Sequence, residues 1–267
     1  MIDRARSMWD LGALAHDDLV TTANRHRDRY RSAAPFPHVI IDDLFPEALL
    51  RAVLAEFPGA RAIDWERFQD GSGRKLATSD ESRMGPRTVA LLRALNARPF
   101  VAFLERLTGI GGLIPDPELA GGGLHRIERG GFLKIHADFN RHPTHALYRR
   151  INVIVYLNAG WKEDFGGHLE LWDAGMTRCG QRILPAFNRC VVFATTDATF
   201  HGHPEPLTCP EGWSRKSIAL YYYSVARPAE EISRPHSTLY QRRPGEPVYS
   251  GSKLARALLH KLAVRVR

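Results

Sequence analysis

The most reactive pair of residues in this sequence is His136 and Asp138, at the centre of the stretch GGFLKIHADFN. Side chains two residues apart on an extended strand point to the same face. A neutral imidazole and a carboxylate on one face can supply two of the three protein ligands of a metal ion held from one side. The opposite coordination positions then stay open to other molecules. The pair therefore predicts a metal centre, provided that another strand brings a third ligand.

Two histidines further along the chain are candidates for that third ligand. His201 and His203 follow the apolar run CVVFAT, far enough beyond Asp138 for the intervening strands to fold back. Both lie on one face if the strand stays extended. Pro204 disrupts regular pairing just after His203, which favours His201. The residues alone leave both assignments open.

A basic residue follows at the start of another strand, in RKSIALYYYS. Arg215 and Ser217 share a face of this strand, because the strand period is two. A buried guanidinium is costly unless it meets an anion, and it grips a carboxylate through two parallel hydrogen bonds. The pair could therefore bind the distal carboxylate of a keto-acid cosubstrate. The alternative is an arginine whose charged end reaches solvent.

Two kinds of element must position these residues. Helices are predicted over 8–32, from Pro46, over 87–96 and over 99–108, with the polar stretch 64–87 as a loop. From residue 124 onward, short apolar runs alternate with turns, which indicates a β-sandwich or barrel. These runs are LHRIE, FLKIHAD, INVIVYLN, HLELW, CVVFAT and SIALYYYS.

The composition limits the class of protein. The chain has 267 residues, 44% of them hydrophobic, which suits one sizeable domain with appendages. No transmembrane run or signal peptide is expected, and three widely spaced cysteines predict no disulfide framework, so a cytoplasmic location is the default. The net charge is +8, but the basic residues are scattered and no nucleic-acid partner is expected.

The last segment carries a basic amphipathic pattern. Residues 253–267 predict a helix with Leu254, Leu258 and Leu262 along one face. Docking on the β domain is favoured over contact with an anionic membrane surface. The stretch before it, from residue 227, is proline-rich and is predicted to be irregular.

Taken in order, these motifs resemble the iron(II) and 2-oxoglutarate-dependent oxygenases of the prolyl 4-hydroxylase-like superfamily, in an uncharacterised bacterial branch. FPHVIIDDLFPEALLRAVLAEFP is similar to the entry strand and first helix of that superfamily, and RRINVIVYLNAGWKEDFGGHLELWD to its central strands. The resemblance implies a mainly β fold with flanking helices, a double-stranded β-helix or jelly-roll, cupin-like barrel. It divides the chain into a helical extension (1–34), an oxygenase domain (35–226, with a helical buttress over 43–120 and a β core over 121–226) and a C-terminal segment (227–267).

The resemblance also implies roles for individual residues. His136, Asp138 and His201 would bind Fe(II), with His203 as the rival because the spacer that follows is longer than usual. A second group would bind 2-oxoglutarate, namely Arg215, Ser217 and Tyr156. L-ascorbate is a further candidate, as a reductant.

Weaker candidates remain for the substrate pocket, namely Asn140, Asn152 and His125. The implied reaction hydroxylates an unactivated C–H bond and converts 2-oxoglutarate to succinate and CO2. The substrate, whether a peptidyl proline, an amino acid, a glycan or another small molecule, stays open, as does the oligomeric state. The alternatives are a non-catalytic jelly-roll binding module and a cupin-like metal enzyme. Halogenation is disfavoured, because such enzymes replace the carboxylate with a small residue.

Overall fold

The computed structural model describes residues 16–246, which form helices on one side of a large curled sheet. The helices are α1 (His16–Ser32), α2 (Glu47–Ala55), α3 (Pro86–Leu95) and α4 (Arg98–Thr108). The strands are β1 (His38–Asp42), β2 (Glu66–Gln69), β3 (Gly73–Thr78), β4 (Ile114–Pro115), β5 (Gly123–Glu128), β6 (Phe132–Ala137), β7 (Tyr148–Tyr156), β8 (Leu169–Trp172), β9 (Cys179–Ile183), β10 (Arg189–Ala194), β11 (Phe200–His203), β12 (Ser214–Ser224) and β13 (Leu239–Tyr240).

The sheet is antiparallel along its main path. Its strand order is β1-β10-β7-β12-β5-β3-β6-β11-β8-β9, and β2, β4 and β13 attach to β3, β12 and β6. The order brings β6 and β11, distant in sequence, into direct pairing. Strands that carry the predicted metal ligands are therefore neighbours.

The main hydrophobic core lies between the helices and the central strands. Leu91, Leu104 and Phe100 on α3 and α4 belong to one buried cluster with Val153 on β7 and Leu220 on β12. Burial of this apolar stripe supplies most of the stability of such helices. The helices therefore brace the outer face of the strands. The inner face carries a second, smaller cluster that includes Tyr156, Leu171 and Phe193, together with several polar residues.

Prolines and a glycine mark the boundaries of helices α3 and α4. Pro86 begins α3 and Pro99 lies in the first turn of α4, where a missing backbone N–H costs nothing. Gly109 ends α4 in the left-handed conformation, with φ of 78°. The helices expected at 87–96 and 99–108 are confirmed within one residue.

The expected loop at 64–87 is wrong, since most of it is folded. β2 and β3 form a hairpin, and β3 joins the sheet between β5 and β6. The side chain of Asp70 caps the hairpin turn by accepting hydrogen bonds from the backbone N–H groups of Ser72 and Gly73. The region 43–120 is therefore not purely helical, because this hairpin contributes a strand to the β core.

The ends of the chain fit the expectations only in part. The described portion of the first helix begins at His16, and the predicted helix 253–267 lies outside the described residues. The stretch expected to be irregular contains β13, which pairs Tyr240 with His136 on β6. Among residues 16–246, no helix combines the length and the apolar character that crossing a membrane requires.

Candidate active site

Three side chains from two neighbouring strands meet on the inner face of the sheet. His201 on β11 lies directly opposite His136 on β6, and their ring centroids are 4.5 Å apart. Asp138 follows β6 by one residue, and its Oδ1 and Oδ2 lie 3.5 Å from His136 Nε2 and 3.4 Å from His201 Nε2. Ligand atoms of the three residues all lie within 4.8 Å of one another.

The backbone fixes which nitrogen of each imidazole faces this point. His136 Nδ1 lies 2.8 Å from the carbonyl oxygen of Lys134, and His201 Nδ1 lies 3.1 Å from that of Thr199. A carbonyl oxygen can only accept, so each Nδ1 carries the proton and donates it. Each Nε2 is left with a lone pair aimed at Asp138, which is the tautomer that a metal ligand needs.

Asp138 is held by two residues that sequence reasoning did not assign to it. Its Oδ2 accepts hydrogen bonds from Arg149 Nη2 at 2.9 Å and from Asn152 Nδ2 at 2.7 Å. Burial opposes ionisation of this carboxyl, but the charge of Arg149 and the facing imidazoles outweigh it and hold the pKa of Asp138 well below its usual range. The carboxylate is therefore ionised and oriented before any ion binds.

Burial has the opposite effect on the distal imidazole. It lowers the pKa of His201 to about 4, although the charge of Asp138 works against this shift. The imidazole is consequently neutral near pH 7. A neutral imidazole beside an ionised carboxylate matches the protonation states of a metal-binding triad.

Arg149 reaches the site through an irregularity in the sheet. The pairing of β7 with β12 shifts register between Tyr222 and Tyr223, which turns Arg149 to the same side as Asn152. The guanidinium is 1% exposed and lies 3.4 Å from the ring centroid of Tyr221. This buried arginine is the functional residue that strand periodicity missed.

The residues predicted to bind 2-oxoglutarate lie on the same face of the sheet, on the neighbouring strands β7 and β12. Arg215 Nη2 donates a hydrogen bond to the hydroxyl of Tyr156 at 3.0 Å, and its Nε donates to the carbonyl of Gly167 at 2.8 Å. Ser217 lies opposite Tyr156 on β7 and opposite His125 on β5. The structure therefore brings together the four residues Arg215, Ser217, Tyr156 and His125.

The charge of Arg215 is not balanced by a carboxylate. The residue is 4% exposed, and none of its ion-pairing atoms lies within 4.0 Å of an acidic group in residues 16–246. Burial lowers the pKa of this guanidinium, with Tyr156 opposing the shift. A desolvated cation without a counter-ion is expensive, so the arrangement is suited to an anionic ligand.

His203 occupies a different position from His201. It is buried on β11 opposite Leu133, outside the group of three that meets at Asp138. Its Nδ1 has no hydrogen-bond partner, and neither has His125 Nε2. Burial and the charge of Arg215 lower the pKa of His203 well below its usual range, so this ring is a neutral neighbour of the Arg215 cluster.

The weaker pocket candidates separate into two kinds. Asn152 supports Asp138, as described above. Asn140 points away from the triad, since its side chain donates to Ser233 Oγ and the carbonyl of Arg234 and accepts from the backbone N–H of His236. Asn140 therefore anchors the segment that leads to β13 and offers no free amide to a substrate.

Comparisons with known proteins agree with this arrangement. Residues 122–223 match the family model of the 2OG-Fe(II) oxygenase superfamily. Over 212 residues, 75% of this chain, the sequence is 28% identical to mouse prolyl 3-hydroxylase OGFOD1, of which the match spans 35%. The chain thus covers about a third of that curated relative.

Solved structures share the fold. A prolyl-4-hydroxylase from Pseudomonas putida superposes with a TM-score of 0.53 at 18% identity, over 77% of this chain and 98% of that one. A Trichoplax adhaerens prolyl hydroxylase, solved with a peptide fragment of hypoxia inducible factor, gives 0.52 at 18% identity over 78% and 91%. The curled sheet is accordingly the predicted double-stranded β-helix. Residues 122–223 therefore carry a 2OG-Fe(II) oxygenase domain, a superfamily whose cofactors are Fe(II) and 2-oxoglutarate, and the chain is similar to prolyl hydroxylases in sequence and in fold.

Proposed function

We propose that this protein hydroxylates a C–H bond with Fe(II) held by His136, Asp138 and His201. The proposal depends on one observation, the convergence of two Nε2 lone pairs on an ionised carboxylate whose orientation is already set. Two imidazoles and one carboxylate are the donor set that non-haem Fe(II) prefers when other positions must stay open. The residues present therefore fit the ion.

The cofactors supply the oxidising chemistry. With both bound, dioxygen is consumed, 2-oxoglutarate leaves as succinate and CO2, one oxygen atom enters the succinate and the other enters the substrate. The protein's own part is to keep His136 and His201 in the ligating tautomer, to keep Asp138 ionised, and to place the cosubstrate beside them.

Arg215 is assigned the distal carboxylate of 2-oxoglutarate. Its guanidinium is buried on the same face as the triad, and the neighbouring hydroxyls of Tyr156 and Ser217 can donate to the same group. A carboxylate there would balance a charge that no acidic side chain in residues 16–246 balances. The cosubstrate would thereby be bound through charge-assisted hydrogen bonds, which are the strong ones.

A prolyl residue within a polypeptide is the first substrate to test. The name of the mouse relative, prolyl 3-hydroxylase, supports this class. Two exposed aromatic rings lie on this side of the sheet. Tyr240 is 5.6 Å from His136 between ring centroids, and Phe68 packs against the amine of Lys75, whose charge interacts with Asp138. Exposed aromatic rings are the surface on which proline-containing peptides dock in other recognition modules. Free amino acids, glycans and small molecules are the rival classes.

Metal and cosubstrate binding can be tested without a substrate. Purified protein mixed with Fe(II) and 2-oxoglutarate under nitrogen should develop a weak visible charge-transfer absorption. His201→Ala should abolish it, and His203→Ala, the matched control, should retain metal binding. Loss of the band with His203→Ala alone would move the third ligand to His203. No band in an iron-loaded wild type would reject the proposed site.

The substrate class can be tested by coupling. Succinate release should rise with a proline-containing peptide, and the peptide should gain one oxygen atom by mass spectrometry. The same peptide with proline replaced by alanine, and free proline, are the controls. A non-catalytic binding module would bind peptides without forming succinate. Equal stimulation by the alanine peptide would exclude proline as the target.

A further inference from the structure

A second cluster of potential ligands lies outside the triad, where the connection after β4 meets the loop between β6 and β7. We name Asp116, Glu118, His142 and His145 the rim cluster. Ligand atoms of Glu118, His142 and His145 all lie within 4.8 Å of one another. The rings of the two histidines are 4.6 Å apart between centroids.

The distances within the rim cluster suit a shared ion better than hydrogen bonds. His142 Nε2 lies 3.6 Å from Asp116 Oδ1, and His145 Nε2 lies 3.8 Å from Glu118 Oε1. Both separations exceed hydrogen-bond length. Two ligands of a tetrahedral zinc ion, each bonded at about 2.0–2.1 Å, lie roughly 3.4 Å apart. Glu118, His142 and His145 could therefore close on one ion, and Asp116, which approaches His142, is the candidate for a fourth position.

Two of the four ligands are already fixed in place. The Asp116 carboxylate accepts hydrogen bonds from the backbone N–H groups of Glu118 at 3.0 Å and Ala120 at 2.7 Å, and its side chain is 3% exposed. His142 is equally buried and packs edge-on against the ring of Tyr223, at 4.9 Å between centroids. A buried pair of this kind is a rigid half-site.

The remaining ligands give an ion access from solvent. The side chains of His145 and Glu118 are 55% and 63% exposed, so both can swing towards the buried pair at little cost. His142 Nδ1 lies 3.3 Å from the hydroxyl of Thr144. Nδ1 also accepts from the backbone N–H groups of Thr144 and His145, each at 3.3 Å, so without an ion the ring proton lies on Nε2. Ligation through Nε2 therefore requires this proton to move to Nδ1, where the Thr144 hydroxyl can accept it.

We propose that the rim cluster binds a zinc ion. Two imidazoles exclude magnesium and calcium as preferred ions, and two carboxylates with two imidazoles match the ligand types of zinc. The ion would tie His142 and His145, in the loop between β6 and β7, to the turn that contains Asp116. This site is separate from the triad and does not depend on the oxygenase reaction.

Zinc stoichiometry tests the proposal on the tag-free, full-length chain. Equilibrium dialysis against Zn(II) should give two ions per wild-type chain, one at the triad and one at the rim cluster. The double variant Glu118→Ala/His145→Ala should retain one ion, and its affinity for the other should fall by more than about 100-fold. Both residues are exposed, so the variant should fold. His168→Ala is the control, because His168 also faces a carboxylate, Glu163, at 2.6 Å but has no second histidine beside it.

A triad-free background separates this proposal from the proposed function. His136→Ala/His201→Ala should bind one zinc, and adding Glu118→Ala/His145→Ala should leave none. In that background Co(II) should show the intense visible bands of a tetrahedral site. If the triad binds no metal but the rim cluster does, the wild type should bind one zinc ion and the Glu118→Ala/His145→Ala variant should bind none. This result would reject the proposed iron site and support the rim cluster. Unchanged stoichiometry in that variant, or a triad-free chain that takes up no zinc, would overturn the proposal.

Discussion

Removing the charge of each buried arginine near the triad should change the stability of the protein by very different amounts. Arg215→Met deletes a guanidinium that no carboxylate in residues 16–246 balances, whereas Arg149→Met deletes the partner of Asp138 at 2.9 Å. Both side chains are at most 4% exposed, so solvent screens neither charge effectively. Comparing the two variants distinguishes an arginine that binds a ligand, Arg215, from one that stabilises the fold, Arg149.

The magnitudes follow from the contacts. Arg215→Met leaves Tyr156 and the carbonyl of Gly167 without a donor, at about 1–3 kcal/mol each, but it also removes an unbalanced buried charge that costs several kcal/mol. We expect the free energy of unfolding without ligand to change by less than about 2 kcal/mol. Arg149→Met strands the buried carboxylate of Asp138 and should lower that free energy by roughly 3–5 kcal/mol.

Arg215→Met should weaken the binding of 2-oxoglutarate strongly, although its effect on the free energy of unfolding is small. Two charge-assisted hydrogen bonds to a carboxylate contribute about 3–4 kcal/mol, which is roughly a 100- to 1,000-fold change in dissociation constant. Calorimetry with the Mn(II)-loaded protein under nitrogen measures this. The matched ligand is 2-oxopentanoate, in which a methyl group replaces the distal carboxylate.

The wild type should prefer 2-oxoglutarate over 2-oxopentanoate by that factor, and Arg215→Met should remove the preference. Urea unfolding of both arginine variants without ligand supplies the second measurement. A preference that survives in Arg215→Met would show that another group binds the distal carboxylate. A loss of stability in Arg215→Met as large as in Arg149→Met would refute the view that Arg215 is held without an internal counter-ion.

Three further outcomes follow from single contacts. Tyr156→Phe should weaken 2-oxoglutarate binding by about tenfold in the same calorimetric assay, since one hydrogen bond of about 1.4 kcal/mol is lost. Gly123→Ala should lower the free energy of unfolding by at least about 3 kcal/mol in urea unfolding, because the new Cβ would overlap a backbone carbonyl of β3 and φ is +88°. Gly71 is the control: a Cβ there would meet no atom within 4 Å, so Gly71→Ala should change the same free energy by less than about 1 kcal/mol. The hydrogen bonds from Arg189 lower the pKa of Asp42 in the folded state. This ion pair therefore stabilises the folded protein at pH values above the carboxyl's unfolded pKa of 3.8, and its contribution is lost as the pH falls through the folded pKa. At pH 7, Asp42→Asn should therefore be less stable than wild type by under about 1 kcal/mol, because the ion pair is half exposed. Near pH 2 the two proteins should be equally stable in thermal unfolding. A difference that stays constant across pH would contradict the assignment.

The parts of the fold that sequence reasoning predicted are those with strong local patterns. The apolar runs from residue 124 onward became β5, β6, β7, β8, β10 and β12 because each buries side chains on at least one face. His136 and Asp138 share a face through strand periodicity, and the pairing of His201 with His136 completes the group. Periodicity and order along the chain were sufficient for these residues.

The hairpin of β2 and β3 escaped prediction because half of it lacks an apolar face. All four residues of β2 are exposed, and they are ordered only by pairing with β3. β9 is likewise an edge strand that alternates exposed and partly buried residues, and β13 has two residues. Strands of this kind form because a neighbour offers free backbone groups, which no local pattern reports.

Arg149 escaped for a different reason. With a period of two, Asn152 and Arg150 share a face and Arg149 points away from them. The register shift opposite Tyr222 and Tyr223 reverses this, so Arg149 reaches Asp138 while Arg150 donates a hydrogen bond to Ser224. Such an irregularity depends on how three strands pair, and the sequence of β7 alone does not encode it.

The connection from β6 to β7 links the two proposed metal sites physically. It begins at Asp138 and ends at Leu147, and the ion pair of 2.9 Å between Asp138 and Arg149, the second residue of β7, closes it. Asn140 ties its first part to the segment before β13. These contacts fix the carboxylate whether or not the rim cluster holds an ion. Zinc at His142 should therefore protect the exposed turn 143–146 from proteolysis while leaving the affinity for 2-oxoglutarate unchanged. Zinc-dependent changes in that affinity would instead mean that the ion pair alone does not position Asp138.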